Sequence, residues 1–430
     1  MISIALGFRG QNGLDNLICD IIETQFIIFT TKLSMRMKKA LPTIQYSIQQ
    51  AATWAGYSAL FAYASVFLLS RGFSNSGVGY VVAGGSLLSA LLQPIAGAFA
   101  DKSRRFILHR LIVVISLVMM LSAGLLLVPG HSFWVMALLY GILVAFLQMV
   151  TPLDFSLGMY FINRGVKINF GIARGMGSLA YALLSYILGI LTEKMSTDVV
   201  MVAVILLYSV LILSVITFHF KGVPEVPFSD TREHTRKTGS LSGFLKSHPS
   251  FAGVVAGVSL LFISHNIISN YMFQIVSHVG RGTAEMGTAI TIAAVLEIPV
   301  LFLLSAINRF LRSGTLLKVS CVFFAIKALF IFLASNIETI YMAQCFQILG
   351  FGLYAGISVC YVNHTIEEPF RTRGQAFMTM SNTAGAVAGS LLGGWLLDLT
   401  SVRVMNLVSL ATALLGAVIV LCSAQSGKKA

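Results

Sequence analysis

Charged residues are scarce in this chain of 430 residues: only 10% are Asp, Glu, Lys or Arg, whereas 57% are hydrophobic. Soluble domains carry roughly 25% charged residues, and so few charges do not cover the water-facing surface of a long chain. The shortage argues against a soluble enzyme. The abundance of Leu, Ile, Val and Phe likewise excludes intrinsic disorder.

Motifs for metal, disulfide and nucleotide chemistry are also missing from the sequence. The five cysteines show neither CxxC nor His-paired spacing and lie mostly in apolar runs, which supports neither a disulfide framework nor a zinc site. No Walker motif occurs, and the glycine-containing turn at 280–283 does not follow a predicted strand, so a phosphate loop is not indicated. The sequence therefore predicts no metal and no cofactor.

Long apolar runs are what the chain has instead. A membrane-spanning helix needs about 20 mostly apolar residues. Six such runs precede a polar stretch and six follow it, so we predict an all-α membrane protein with twelve transmembrane helices. The runs lie near 45–70, 77–100, 106–128, 133–161, 170–192, 199–220, 251–277, 286–307, 315–335, 338–364, 376–397 and 404–424.

The basic residues alternate from loop to loop between these runs. Net charge is +13, which in a soluble protein would indicate nucleic-acid binding. Here one set of loops holds sixteen Lys and Arg, and the other holds four: Arg71, Lys194, Arg281 and Arg403. The positive-inside rule then predicts a multi-pass protein of the cytoplasmic membrane with both termini in the cytoplasm. Its surroundings are the lipid bilayer, and nucleic acid is not an expected partner.

Four segments follow from this pattern. Residues 37–220 and 251–430 are two predicted six-helix bundles, and residues 221–250 form a cytoplasmic loop between them. Residues 1–36 precede the first good run, and Met35 and Met37 stand at their end. We interpret this leader either as a start-site artefact or as an amphipathic segment lying on the membrane surface.

The two halves resemble each other weakly, with matching motifs about 203 to 207 positions apart. Two related six-helix halves are the layout of transporters that rock around a site at the midplane. The loop Gly97-xxx-Asp101-Lys102 is similar to the loop signature of the major facilitator superfamily, although Arg104 stands where that signature usually has a second glycine. Over residues 40–424 the chain is identified as a member of this superfamily, with two pseudo-symmetric six-helix bundles.

Four short stretches resemble the branch that contains lactose permease and the phenylpropionate and nucleoside permeases: 63–72, 170–174, 264–271 and 297–299. The resemblance implies a monomeric proton symporter for a small organic solute, such as a sugar, nucleoside or aromatic acid. Much of the coupling network of lactose permease is absent, so its sugar specificity and proton path are not carried over. A proton-driven exporter of drugs or metabolites is the alternative function.

Four ionisable residues lie inside apolar runs, where charges are expensive and usually mark a functional pathway. Glu297 is interpreted as a proton carrier or substrate ligand, with a buried helix-bridging role as the alternative, and Asp154 is the second proton-coupling candidate. Arg174 can bind a carboxylate or two hydroxyls through its planar guanidinium, and we expect it beside Asp154; the alternative is that both residues anchor helix ends or form a gate pair. Lys327 is expected to neutralise Glu297 or to bind a substrate anion, with a side chain that extends to the membrane interface as the alternative.

Further candidates for substrate binding are polar and aromatic. They also have a plain interpretation as core-packing residues. The resemblance to lactose permease contributes three of them. Tyr181 falls at the position where that family member stacks a ring, Gln347 lies in the tenth predicted helix, and Asn382 falls where the eleventh helix of that family member has a lysine. The remaining candidates are Tyr57, His265, Asn266 and Asn270.

A cytoplasmic gate is predicted at two basic loops, 101–105 and 371–373. The gate residues of the first loop are Asp101, Lys102, Arg104 and Arg105, and Asp101 is expected to pair with an arginine when the inside is closed.

Overall fold

The computed structural model describes residues 40–102, 105–220 and 241–425, and within these ranges no strand occurs. The predicted leader at 1–36 lies outside the described residues. The helices, in chain order, are α1 Ala40–Ala62, α2 Ala64–Ser70, α3 Asn75–Lys102, α4 Arg105–Leu127, α5 Phe133–Ile162, α6 Phe170–Lys194, α7 Val199–Thr217, α8 Leu241–Ser247, α9 Pro249–Asn270, α10 Met272–His278, α11 Thr283–Phe310, α12 Ser313–Leu333, α13 Ile337–Cys345, α14 Phe351–Thr365, α15 Arg371–Leu399 and α16 Val402–Ser423.

The prediction of an all-α membrane fold is confirmed. Among the described residues, ten candidate spans are long and apolar enough to cross a membrane, and the bent pair α1–α2 makes an eleventh. Helix α15 has 29 residues, enough to cross a bilayer at 1.5 Å per residue, although it is rich in Gly, Ser and Thr. Counting α15, the helices coincide with the twelve predicted runs.

Two spans are broken at tyrosines. Helix α1 ends in a π-helical turn, Ser58–Ala62, and the chain bends by 49° at Tyr63 before α2 begins. Such π turns are a common cause of helix kinks. Tyr271 separates α9 from α10 in the second half of the chain, where the helix before the break is α-helical to its end. The two breaks lie 208 positions apart.

A proline in α5 exposes a backbone acceptor that a side chain uses. Proline lacks an N–H group, so Pro152 cannot donate to the carbonyl of Gln148 four residues earlier. That carbonyl accepts a hydrogen bond from Nε2 of Gln93 on α3 at 3.1 Å. The side chain of Gln148 in turn donates to Ser86 Oγ at 2.9 Å. These bonds join α3 to α5 beside the centre of the molecule.

The two halves of the chain meet along two helix pairs, α3 with α15 and α6 with α11. Their closest contacts lie at the end of the molecule where α3 begins and α15 ends. We call this the outer end, because the positive-inside prediction places it outside the cell. Large apolar side chains such as Leu121, Leu206 and Leu213 are more than 60% exposed, which suits a surface covered by lipid. The chain is a multi-pass membrane protein.

We expect the substitution Gly416→Val to destabilise the second half. A Cβ atom at Gly416 would lie 2.6 Å from the carbonyl oxygen of Gly257, so α9 and α16 would have to separate. Overpacking of this kind costs about 1–3 kcal/mol. Thermal unfolding of the purified protein in detergent measures it. Gly84→Val is the control, because nothing lies within 4 Å of a Cβ there. Equal melting temperatures for the two variants would contradict this packing.

Candidate functional site

A central cavity of about 610 Å³ lies between the two halves. Small-molecule sites typically have this size. Helices α1, α3, α5 and α6 line it from the first half, and α9 to α15 from the second. Its lining includes Glu297 and all nine residues predicted to bind substrate: Tyr57, Arg174, Tyr181, His265, Asn266, Asn270, Lys327, Gln347 and Asn382.

The cavity is closed at the outer end of the molecule. A Cβ atom on Gly79 of α3 would lie 2.4 Å from the carbonyl oxygen of Ser390 on α15, and this close backbone contact leaves no passage between the two helices there. Thr379 and Asn382, nearer the other end of α15, line the cavity and are exposed.

A chain of hydrogen bonds joins the two ionisable residues of the second half. Lys327 Nζ on α12 donates to Gln347 Oε1 at 2.6 Å. Gln347 Nε2 then donates to Glu297 Oε1 on α11 at 2.9 Å. An ammonium group can only donate, so Lys327 fixes the amide with its NH₂ group facing Glu297. Lys327 therefore reaches the carboxyl group through an amide, and no direct ion pair joins the two among the described contacts.

The guanidinium of Arg174 lies over an aromatic wall of the first half, which is formed by Trp54, Tyr57 and Phe61. Its guanidinium carbon is 3.7 Å from the centroid of the Trp54 ring, and its Nη1 donates to Ser178 Oγ at 2.9 Å. Trp54 stacks on Tyr57 with ring centroids 5.2 Å apart, and Tyr57 stacks on Phe61 at 5.5 Å. Cation–π contact and stacking hold this wall together.

Only a glycine on α6 permits this arrangement. A Cβ atom at Gly177 would lie 2.6 Å from Trp54 Cδ1, so any larger residue would push the indole away from α6. Trp54 is not among the predicted site residues. A sequence signal for it exists, because Trp54 and Tyr57 are three positions apart and share one helix face.

The expected pair of Asp154 with Arg174 is wrong. Asp154 is fully buried and is not among the residues that line the cavity. Its Oδ2 accepts hydrogen bonds from Gln50 Nε2 at 2.7 Å and Thr53 Oγ1 at 3.4 Å. The carboxyl group thus faces α1, whereas Arg174 faces the cavity, and no ion pair joins the two side chains. The helices that carry the two residues, α5 and α6, are consecutive in the chain but are not among the helix pairs that pack together, so the short connection does not place the side chains next to each other.

The three candidates on α9 line the cavity, and some of their hydrogen-bonding groups already have partners within the protein. His265 stacks on Phe351 with centroids 4.9 Å apart and an interplanar angle of 3°. Asn266 Nδ2 donates to the carbonyl of Phe262 at 2.8 Å. Asn270 Nδ2 donates to Ser390 Oγ at 2.8 Å. Their remaining acceptors are the groups that a bound molecule can use.

The predicted gate residues cannot be compared with the structure. Asp101 and Lys102 end α3 and Arg105 begins α4, but their side chains, like the whole of Arg104, fall outside the described part of the chain. The cytoplasmic gate therefore stays a prediction.

Comparisons with known proteins agree with this geometry. The model of the MFS_1 like family matches residues 44–408. Nucleoside transporter NupG has a similar structure, with a TM-score of 0.71 and 13% identity over 89% of this chain and 98% of that one. An auto-inhibited POT family peptide transporter gives a TM-score of 0.70 and 9% identity, covering 89% and 95%. At such identities the likeness shows the fold. No curated protein sequence matches the chain.

We expect Gln347→Leu to destabilise the protein more than Gln344→Leu. The first change leaves Lys327 and Glu297 without their shared hydrogen-bond partner, and unsatisfied buried groups cost about 1–3 kcal/mol each. Gln344 is a matched control, because it is also a buried glutamine and its contact is a weak one to Met272 Sδ at 3.8 Å. Thermal unfolding in detergent compares them. A smaller loss for Gln347→Leu than for Gln344→Leu would contradict the bridge.

Proposed function

Because the chain belongs to the MFS_1 like family, we propose that it carries a small organic solute with a ring across the cytoplasmic membrane together with a proton. The chain is a secondary transporter and not an enzyme. The proposal adds proton symport, alternating access around the central cavity, and a sugar, nucleoside or aromatic acid as the solute. The observation that carries it is the Glu297–Gln347–Lys327 chain in the wall of that cavity.

Glu297 is the proposed proton site. It lies in the cavity wall, where the solute and water reach it from whichever side is open, and among the described residues its hydrogen bond comes from the Gln347 amide. When Glu297 gains a proton, its attraction to Lys327 weakens, and Lys327 becomes available to a polar group of the solute. Binding of the proton and of the solute are then linked through one hydrogen-bonded chain.

Asp154 is the proposed second proton site. It is buried within the first half, where two neutral side chains, Gln50 and Thr53, donate to it. A buried carboxyl group with neutral partners is costly to ionise, which favours a role that involves its neutral form. Because Asp154 lies outside the cavity, the solute does not touch it in this state.

The two walls of the cavity suggest the class of solute. The first half offers the flat surface of Trp54, Tyr57 and Phe61, with Tyr181 and the edge of Arg174 beside it. The second half offers Glu297, Lys327 and the amides of α9 and α15. A ring with hydroxyl or carboxylate groups on one side satisfies both walls. The structural likeness to nucleoside transporter NupG adds support for a nucleoside.

Alternating access and orientation complete the proposal. Both termini lie in the cytoplasm, Asp101, Lys102, Arg104 and Arg105 form the inner gate with the basic start of α15, and the protein works as a monomer. The second candidate function is proton-driven export of drugs or metabolites by the same fold. The aromatic wall of the first half favours it, since such a surface also suits apolar compounds.

Binding is tested by a thermal-shift screen of the purified protein against sugars, nucleosides and aromatic acids. We expect a stabilising ligand from one of these classes. Its apparent affinity should fall at least about tenfold in Glu297→Gln or Arg174→Lys, as loss of a charge-assisted hydrogen bond predicts. Glu285→Gln is the control, because Glu285 pairs with Arg281 away from the cavity. Equal affinity of a ligand for the wild type and all three variants would refute the assignment of Glu297 and Arg174 to the binding site.

Coupling is tested in proteoliposomes loaded with the ligand found in that screen. An inward proton gradient should drive accumulation by the wild type. Glu297→Gln should lose gradient-driven accumulation while still exchanging labelled for unlabelled solute, because exchange needs no net proton movement. Accumulation only under an outward proton gradient would favour the exporter. Accumulation driven by sodium instead would refute proton coupling.

A further inference from the structure

The outer end contains the same set of contacts twice. Tyr63, at the break in the first span, donates from Oη to the carbonyl oxygen of Ser185 on α6 at 2.5 Å. Tyr271, at the break in the seventh span, donates from Oη to the carbonyl oxygen of Ser390 on α15 at 2.5 Å. The tyrosines are 208 positions apart and the serines 205. Each half therefore holds one copy of this contact.

Beside each tyrosine the backbones of the two halves touch at glycines. A Cβ atom on Gly287 of α11 would lie 2.5 Å from the carbonyl oxygen of Ser185. A Cβ atom on Gly79 of α3 would lie 2.4 Å from the carbonyl oxygen of Ser390. Small residues at these positions let α6 meet α11 and α15 meet α3 without an intervening side chain.

Each half also contributes a carboxylate to the contacts at the outer end. Asp398, in the last turn of α15, accepts from the backbone N–H of Ser76 at 2.7 Å, from that of Asn75 at 3.1 Å and from Asn75 Nδ2 at 3.0 Å. Glu193, near the end of α6, accepts from the backbone N–H of Ala284 at 2.8 Å. Both acids thus lie at the N-terminus of a helix that belongs to the other half, α3 for Asp398 and α11 for Glu193.

Helix N-termini carry unpaired N–H groups and a partial positive charge, so a carboxylate stabilises them. A helix is usually capped by a residue close to it in sequence. Here the capping acid comes from the opposite half, and opening the outer end must break both caps. We propose that Asp398 and Glu193 hold the outer end closed and thereby set the equilibrium between inward-facing and outward-facing states.

The two caps differ in strength. Asp398 accepts three hydrogen bonds, and its partner Asn75 is also held by Gln274 Nε2, which donates to Asn75 Oδ1 at 2.9 Å. Glu193 accepts one hydrogen bond, from a backbone N–H. Its carboxylate also lies close to Gly282, where a Cβ atom would be 2.7 Å from Glu193 Oε2. Asp398 therefore carries the larger share of the closing free energy.

The test measures the outer opening by the distance between two spin labels. Ser132 before α5 and Ser335 before α13 are exposed, lie at the outer end and belong to different halves. We expect Asp398→Asn to raise the ratio of outer-open to outer-closed molecules about tenfold, from the loss of charge-assisted hydrogen bonds and of the charge at the helix end. Glu193→Gln should raise it less, and the double variant should raise it by the product of the two factors.

Two matched controls remove an acid from the same end without touching the other half. Asp198 pairs with Arg71 of its own half, and Glu285 accepts from the N–H of Gly282 of its own half at 3.0 Å. Asp198→Asn and Glu285→Gln should leave the distance distribution unchanged. Shifts as large as that of Asp398→Asn would show a general effect of surface charge and overturn the proposal.

A further variant keeps the proposal testable if Asp398→Asn fails to fold. Asn75→Asp places a second carboxylate against Asp398, so the caps repel and the outer-open population should rise at least as much. If either Asn75→Asp or Asp398→Asn folds and its distribution of spin-label distances is unchanged from the wild type, the proposal is refuted. The measurement uses neither solute nor proton gradient, so its outcome is independent of the proposed substrate and coupling ion.

Discussion

The cost of placing ionisable groups in hydrocarbon is the constraint on which the rest of this structure depends. A charge at the bilayer centre costs about 2.5–3.5 kcal/mol on insertion scales, so each such group must find partners inside the protein. Lys327 and Glu297 find theirs through Gln347, Arg174 through Trp54 and Ser178, and Asp154 through Gln50 and Thr53. Each of these contacts lies within one half, so the partners hold each half together around its own ionisable groups.

The same constraint explains why backbone contacts join the halves along the spans, while charged side chains join them only at the outer end. Lipid offers no hydrophobic drive for helix association, so close packing of small residues must supply it. Gly79 against Ser390 and Gly287 against Ser185 give contacts that only residues without a Cβ atom can make. Charges are used where water is near, at the ends of α6 and α15. A contact built in this way can part without leaving an unpaired charge in hydrocarbon.

Much of the fold follows from the sequence, because a run of about 20 apolar residues has few alternatives to a spanning helix. Ionisable residues within those runs are costly to place in a membrane, and for this reason the sequence also predicts Glu297, Arg174 and Lys327 as site residues. All three line the cavity. The partners could not be predicted, since they depend on how each helix is rotated about its axis. Asp154 and Arg174 lie on helices that are consecutive in the chain, yet one side chain faces α1 and the other faces the cavity.

The contacts at the outer end are alike in the two halves, whereas the residues that line the cavity differ. These two properties have different physical origins. The outer contacts repeat because both halves must separate and rejoin along equivalent helix pairs, so one set of residues serves at Tyr63 and again at Tyr271. A solute has no such two-fold symmetry. By the offset of 208 that relates Gly79 to Gly287, Glu297 falls opposite Ser89, and by the offset of 205 that relates Ser185 to Ser390, Arg174 falls opposite Thr379. The contacts at the outer end are therefore alike in the two halves, while binding of an asymmetric molecule requires that the halves differ at the cavity.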